Sequence, residues 1–270
     1  MNFLEKLDKA VKLNNSLLCV GLDIDMSRIP KFLLNKEDPI FSFNKAIIDE
    51  TRDLVCAYKP NIAFYESYGI YGLQSLMRTI EYLADDIPVI LDAKRGDIGH
   101  TAAAYAKAIF EVFKADATTV SPYLGHDSVE PFIEYKDKGV FVLCLTSNPG
   151  SKDFQIGADE PPLFKTVARK VKEWNKNGNL GLVVGATNPQ ELKDIRTLAG
   201  DMPILIPGVG AQGGDLQMAV KNGVNKKGER AIVNASRSII YASDRDDFAG
   251  NAKMLARRLR DDINSYRWGA

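Results

Sequence analysis

The chain has 270 residues, of which 45% are hydrophobic and 26% charged, ordinary values that argue against a disordered or fibrous protein. Basic and acidic residues are equal at 35 each, so no net positive field exists to attract nucleic acid or an anionic membrane surface. No segment stays apolar for the roughly 18 residues of a membrane span, and residues 1–6 lack the apolar centre of a signal peptide. We therefore expect a cytoplasmic protein with no nucleic-acid or membrane partner.

Eight short apolar or β-branched runs predict strands. They alternate with segments in which apolar residues recur at three- and four-residue intervals, as in amphipathic helices. The predicted strands are Leu17–Asp23, Cys56–Phe64, Pro88–Lys94, Ala117–Tyr123, Val140–Ser147, Leu180–Thr187, Pro203–Val209 and Arg230–Arg237. The helical segments include Phe43–Leu54, Tyr71–Leu83, Thr101–Phe113, Pro162–Trp174 and Pro189–Leu198.

This alternation implies parallel strands joined by right-handed crossovers. Eight repeats close naturally into an α/β fold of the TIM (β/α)8 type, which needs about 250 residues. A doubly wound open sheet would accommodate the same alternation, but the number of repeats favours the barrel. No composition shift marks a boundary, so residues 1–270 are predicted to form a single barrel domain with its site at the carboxyl ends of the strands.

Charged residues cluster after the third predicted strand, where Asp92, Lys94 and Asp97 occur within six residues. Because side chains alternate along a strand, Asp92 and Lys94 point the same way, and a turn at Gly96 can bring Asp97 back toward them. Such charges are costly to bury unless paired, so they form either a structural network or a reactive site. Taken alone, the segment fits equally a plain ion pair with Asp97 capping the next helix.

Other predicted strands also end in polar residues, which a barrel would bring to one mouth. Asp23 ends the first strand, Lys59 lies in the second, and Ser147 ends the fifth. Residues 148–160, which follow the fifth strand, form a longer loop than the fold requires. This loop is either a lid or a tolerated surface insertion.

The last two predicted strands suggest a phosphate site. Glycines at 208, 210, 213 and 214 would let backbone N–H groups approach an anion, and Arg237 can offer a bidentate fork to phosphate oxygens. The segment also matches the dinucleotide pattern GxGxxG. We reject that match because it lies late in the chain and the following strand ends in Asn234 and Arg237 rather than in a carboxylate.

Cysteine and histidine usage gives no sign of a metal or a disulfide. Cys19, Cys56 and Cys144 lie in apolar runs without CxxC spacing, which predicts reduced core residues. His100 and His126 are too isolated for a histidine metal site. We expect no metal.

Together these segments resemble the orotidine 5'-monophosphate decarboxylase family, in its longer bacterial branch. The family signature DxKxxDI followed by threonine is present as Asp92, Lys94, Asp97, Ile98 and Thr101. The stretches AYKPNxAF at 57–64, PGVGAQGG at 207–214 and NASRSI at 234–239 add to the resemblance, which extends from Gly21 to Arg237.

The resemblance implies cofactor-free loss of CO2 from orotidine 5'-monophosphate (OMP), giving UMP in pyrimidine synthesis. By resemblance, Lys94 stabilises the carbanion at C6 of the pyrimidine and then protonates it, while Asp92 and Asp97 hold that ammonium in place. The family also implies a homodimer in which Asp97 and Thr101 reach the neighbouring site. The remaining roles that it implies are ribose binding by Asp23 and Lys59, pyrimidine binding by Ser147, and phosphate binding by Gly210, Gln212, Ser236 and Arg237.

Two alternatives stay open. A related barrel could act on a sugar phosphate through a metal-stabilised enediolate, although Lys59 and Lys94 among the carboxylates suit a divalent cation poorly. A non-catalytic nucleotide-binding barrel is the second, although a pure binder gains nothing from charges placed beside a reacting carbon.

Overall fold

A computed structural model of the chain describes residues 1–84, 87–157, 161–209 and 215–268. Within these residues, eight strands form one parallel sheet: β1 Leu18–Gly21, β2 Ala57–Lys59, β3 Ile90–Arg95, β4 Ala117–Val120, β5 Gly139–Leu145, β6 Leu180–Val184, β7 Ile204–Ile206 and β8 Ala231–Ala235. Their order is β2-β1-β8-β7-β6-β5-β4-β3. Parallel bridges from Tyr58 to Val89 and from Asn61 to Asp92 join the two outer strands and complete the barrel.

Helices follow the strands and form the outer layer. They are α1 Phe3–Asn14, α2 Pro39–Thr51, α3 Ile62–Glu66, α4 Gly69–Leu83, α5 Gly99–Lys107, α6 His126–Ile133, α7 Ser151–Phe154, α8 Leu163–Trp174, α9 Pro189–Ala199, α10 Leu216–Gly223, α11 Arg237–Ile240 and α12 Phe248–Arg267. A 3-10 turn at Lys31–Asn35 precedes α2, and a π-helical turn at Ala108–Val112 extends α5. The predicted TIM barrel is confirmed, and each predicted strand overlaps an observed one, with β3 ending one residue later and β5 beginning one residue earlier than predicted.

Side chains at helix starts explain several boundaries. Asn2 and Glu5 form a reciprocal capping box on α1, and Asp38 accepts the Phe41 N–H at the start of α2. The sequence also allowed Asp97 to cap the helix that follows it, but α5 begins without such a cap. The residue before the helix is Ile98, with no side-chain cap, and within the described residues Asp97 accepts the adjacent Ile98 N–H.

The barrel core is apolar, and the three cysteines belong to it as predicted. Cys19, Cys56 and Cys144 are buried and unbonded to one another. Burial raises the pKa of Cys19 and of Cys144 to about 12, so these thiols stay protonated at neutral pH. No helix in the described part of the chain is both long and apolar enough to cross a membrane.

One buried arginine joins the amino-terminal ends of β7 and β8, on the face opposite the predicted site. The guanidinium of Arg196 donates to the carbonyl oxygens of Gly200, Met202, Gly223 and Arg230 at 2.7–2.9 Å. Burial lowers the pKa of Arg196 to about 10. The four carbonyl dipoles oppose this effect of burial by stabilising the charged guanidinium.

Replacing this guanidinium should destabilise the whole barrel. Because Arg196→Met removes a charged donor from four carbonyl oxygens, of which that of Arg230 keeps another backbone donor, the Ile204 N–H, we expect it to lower the free energy of unfolding by about 3 kcal/mol. The measurement is urea unfolding followed by circular dichroism. Arg169→Met, at an exposed position of α8, is the matched control and should change stability little. Equal stability of the two variants would contradict this role for Arg196.

Candidate active site

The carboxyl ends of the strands surround a cavity of about 390 Å³, a size typical of small-molecule sites. It contains polar groups from β1 to β5 and from β8, above an apolar wall formed by Leu143, Val183 and Leu205. Seven of the predicted site residues line it: Asp23, Lys59, Asp92, Lys94, Ser147, Ser236 and Arg237. The barrel thus brings together residues that are more than 200 positions apart in the chain.

Asp92 is the centre of the charge cluster. Its Oδ1 accepts hydrogen bonds from the Lys94 ammonium at 2.7 Å and from the Thr119 hydroxyl at 2.8 Å. Its Oδ2 accepts from the Lys59 ammonium at 3.1 Å. A second carboxylate, that of Asp23, lies 4.0 Å from Lys59. Both oxygens of the buried Asp92 are therefore paired with cationic donors.

Burial and pairing oppose each other in this cluster. Burial by itself would raise the pKa of Asp92, but the ammonium groups of Lys59 and Lys94 hold that pKa well below its usual range. Burial would lower the pKa of Lys59, but the carboxylates of Asp92 and Asp23 raise it above its usual value. At neutral pH, Asp92 and Lys59 are therefore both charged.

The backbone at Lys94 is unusual for a residue with a side chain. Its φ of 46° lies in the left-handed region, where L-residues are strained. The side chain is 46% exposed, in contrast to 4% for Lys59. Lys94 is thus held at its ammonium by Asp92 while still open to the cavity.

Asp97 and Thr101 lie outside this cavity. Among the described residues, the turn at Gly96 brings about no ion pair between Asp97 and Lys94, so the role of Asp97 stays a prediction. Asp97 accepts the Ile98 N–H at 2.8 Å and, among the described residues, forms no ion pair. Thr101 is exposed near the start of α5.

The opposite side of the cavity is built by the ends of β7 and β8. Arg237 is exposed at the rim and, within the described residues, has no ion-pair partner. Ser236 packs against β1, where a Cβ added at Gly21 would lie 1.8 Å from its Oγ. Gly208 has a φ of 94°, which glycine adopts without strain. The predicted phosphate residues Gly210 and Gln212 lie outside the described residues, as do Gly213 and Gly214.

The long loop after β5 includes the short helix α7. Gln155 follows that helix, and its side-chain oxygen accepts the backbone N–H of Thr146 at 2.7 Å, beside Ser147. The loop therefore contacts the cavity wall. Residues 158–160 lie outside the described residues, so the choice between lid and insertion stays a prediction.

Six polar residues of the cavity were not among the predicted site residues: Asn61, Thr119, Thr146, Asn148, Asn234 and Ser238. Asn61 and Asn234 belong to the stretches that carry the family resemblance, so their motifs were a usable signal. Alternation along Thr118-Thr119 predicts that one hydroxyl faces inward, but it does not say which. That choice depends on the register between strands.

Comparison with known proteins agrees with this geometry. The model of the orotidine 5'-phosphate decarboxylase / HUMPS family matches residues 16–249. The chain is 50% identical over 270 residues to the orotidine 5'-phosphate decarboxylase of Ralstonia nicotianae, covering 99% of this chain and 100% of that protein.

Solved structures are similar over the same length. The OMP decarboxylase of Leishmania donovani superposes with a TM-score of 0.88 at 39% identity and covers 100% of both chains. The UMP synthase of that organism gives a TM-score of 0.89 at 40% identity, and the match spans 100% of this chain but 57% of that one. The chain belongs to the orotidine 5'-phosphate decarboxylase / HUMPS family.

Proposed function

We propose that this protein decarboxylates OMP to UMP and CO2 in pyrimidine nucleotide synthesis, without a cofactor. The observation that carries the proposal is the Lys94 ammonium, fixed 2.7 Å from Asp92 and open to a nucleotide-sized cavity. Full-length relatives with this activity in their names support the assignment. A phosphorylated nucleotide does not cross membranes readily, so we place the reaction in the cytoplasm.

The chemistry requires a cation at one carbon. When the bond from C6 to the carboxylate breaks, CO2 leaves and the electron pair stays on C6, in the plane of the ring, where the pyrimidine cannot delocalise it. A preorganised ammonium stabilises this charge without further reorganisation. We assign that role to Lys94, which then transfers a proton to C6 and regains one from water.

The neighbouring groups keep that ammonium in place and bind the sugar. Asp92 holds Lys94 directly, and Lys59 balances the second oxygen of Asp92. Asp23 has a buried Oδ1 without a hydrogen-bond partner among the described residues, which suits a ribose hydroxyl donor. We therefore assign Asp23 and Lys59 to the ribose and Ser147 to the pyrimidine.

The phosphate is assigned to the other side of the mouth. Arg237 and Ser236 lie at the end of β8, next to the glycine-containing end of β7. We add Gly210 and Gln212 to this phosphate site from the family pattern. Binding energy from a remote phosphate can contribute to the rate at C6, which gives these residues a part in catalysis.

A metal-dependent reaction on a sugar phosphate is the competing assignment. Both oxygens of Asp92 accept from lysine ammonium groups, so they are poorly suited to a divalent cation. No group of three His, Cys, Asp or Glu residues in the described part of the chain could hold a metal ion. A non-catalytic nucleotide binder does not account for two charged lysines around one buried carboxylate.

The exposed surface beside β3 and β4 supports a homodimer. Ile98, Tyr123 and Leu124 are 57%, 80% and 47% exposed on neighbouring loops. Exposed apolar side chains grouped in this way are typical of protein interfaces. Asp97 and Thr101 lie on the same surface, so we propose that they complete the site of the neighbouring subunit.

Activity without metal is the first test of this function. We expect the wild-type protein to consume OMP in excess EDTA, and Lys94→Ala to lower kcat by at least about 100-fold because the cation at C6 is lost. The measurement is the decrease of OMP absorbance in the ultraviolet. Lys172→Ala, on the exposed face of α8, should behave as wild type. Activity only after a divalent metal is restored would instead support the sugar-phosphate reaction.

The phosphate assignment is tested by removing either the Arg237 side chain or the phosphate of the substrate. Arg237→Ala should lower kcat/KM for OMP by roughly 10- to 100-fold, since a charge-assisted hydrogen bond is lost. The same variant should not change the slower reaction of orotidine, which has no phosphate. Arg245→Ala, at an exposed position eight residues later that does not line the cavity, has the same charge change and should leave both reactions unaltered. An equal loss with both substrates would rule out a phosphate contact.

Sharing of the site between subunits predicts complementation. Lys94→Ala and Asp97→Ala should each be nearly inactive, but a mixed dimer contains one site with both native residues. After subunit exchange in an equal mixture, about a quarter of wild-type activity should return. If Asp97 acts within its own chain, every site in the mixture lacks one residue and no activity returns.

A further inference from the structure

A hydrogen-bonded ring connects the backbone of Lys94 to its own ammonium through a neighbouring strand. The Lys94 backbone N–H donates to Thr119 Oγ1 at 2.9 Å, and Thr119 Oγ1 donates to Asp92 Oδ1 at 2.8 Å. The Lys94 ammonium closes the ring by donating to the same Asp92 oxygen at 2.7 Å. The Thr119 side chain is thus bonded to both parts of the proposed catalytic pair.

The strand geometry explains why a side chain is needed there. Leu91 pairs with Thr118, but the next pair along is Arg95 with Val120. Three residues of β3, Asp92–Lys94, therefore lie opposite the single residue Thr119. Such a bulge leaves backbone groups outside the regular ladder, and the Thr119 hydroxyl accepts the N–H at Lys94.

The direction of each hydrogen bond in the ring is fixed. A backbone N–H can only donate, so Thr119 Oγ1 accepts from Lys94 and its own proton is free for Asp92. The ionised carboxylate can only accept. The hydroxyl proton therefore has one orientation, and the ring supports the left-handed backbone of Lys94, with a φ of 46°.

We propose that Thr119 is a positioning residue for catalysis, which holds the strained backbone of Lys94 and the Asp92 carboxylate in register so that the ammonium meets C6. This inference rests on the proposed decarboxylation. Thr119 is 1% exposed, so its hydroxyl has no ready replacement from solvent. A shift of about 1 Å in a catalytic group can lower a rate by roughly 100-fold.

The chain provides a matched control at the preceding residue. Thr118 is equally buried, and its hydroxyl donates to the carbonyl oxygen of Leu91 at 2.9 Å. It does not line the cavity. Thr118→Val and Thr119→Val each remove one buried hydroxyl from the same strand, so they separate general destabilisation from loss of positioning.

The experiment compares kcat, KM for OMP and Kd for UMP in three variants. Thr119→Val should lower kcat by roughly 10- to 100-fold. The Kd for UMP should stay within about twofold, because the groups assigned to the ribose and the phosphate are intact. Thr119→Ser retains the hydroxyl and should recover most of kcat. Thr118→Val should lower stability and leave kcat within about twofold.

Three outcomes would overturn the proposal. The first is a loss of kcat in Thr118→Val as large as that in Thr119→Val, and the second is no recovery in Thr119→Ser. The third is a loss in UMP affinity that matches the loss in kcat, which would make Thr119 a binding residue.

A second readout does not depend on the reaction. The Lys94 amide should exchange slowly with solvent in the wild type and in Thr119→Ser, and much faster in Thr119→Val, as measured by NMR. If the Lys94 amide of the wild type exchanges slowly but the protein does not consume OMP, the proposed function is wrong and the hydrogen-bonded ring is still supported. Equal exchange in all three proteins would overturn the ring itself.

Discussion

The buried carboxylate of Asp92 is the group on which the rest of the site depends. An ionised carboxylate at this depth is stable only if both oxygens have strong donors. Lys59 from β2, Lys94 from β3 and Thr119 from β4 supply them. Three adjacent strands must therefore keep their relative positions, and the ammonium of Lys94 gains a fixed location as a result.

Different strands of the barrel carry the charge cluster and the proposed phosphate site. The charge cluster comes from β2, β3 and β4, whereas the proposed phosphate residues follow β7 and β8. Asp23 follows β1, which pairs with both β2 and β8 and so lies between the two groups. A ligand that contacts the phosphate residues, Asp23 and the charge cluster together would have an anion at one end, hydroxyls in the middle and a reacting group at the other end. A nucleotide has this layout.

The barrel and most of the charge cluster could be predicted from the sequence, because strand alternation and helix periodicity are local patterns. Strand alternation predicted that Asp92 and Lys94 lie together, and they do form an ion pair, although through a bulge rather than a regular strand. Eight repeats predicted the barrel. The position of Asp97 could not be predicted, since it depends on how the chain turns after Gly96. The role of Thr119 was also inaccessible, because it follows from a register shift between β3 and β4 that no pattern within one strand encodes.

The junction between β2 and β3 has a further consequence. There the barrel is completed by two bridges, at Tyr58–Val89 and Asn61–Asp92, rather than by a continuous ladder. The ion pair between Lys59 and Asp92 crosses this same junction at 3.1 Å. Local opening of a protein begins where few backbone hydrogen bonds must break. Mild denaturant would therefore separate Lys59 from Asp92 while the other strands remain paired, and inactivation would precede global unfolding.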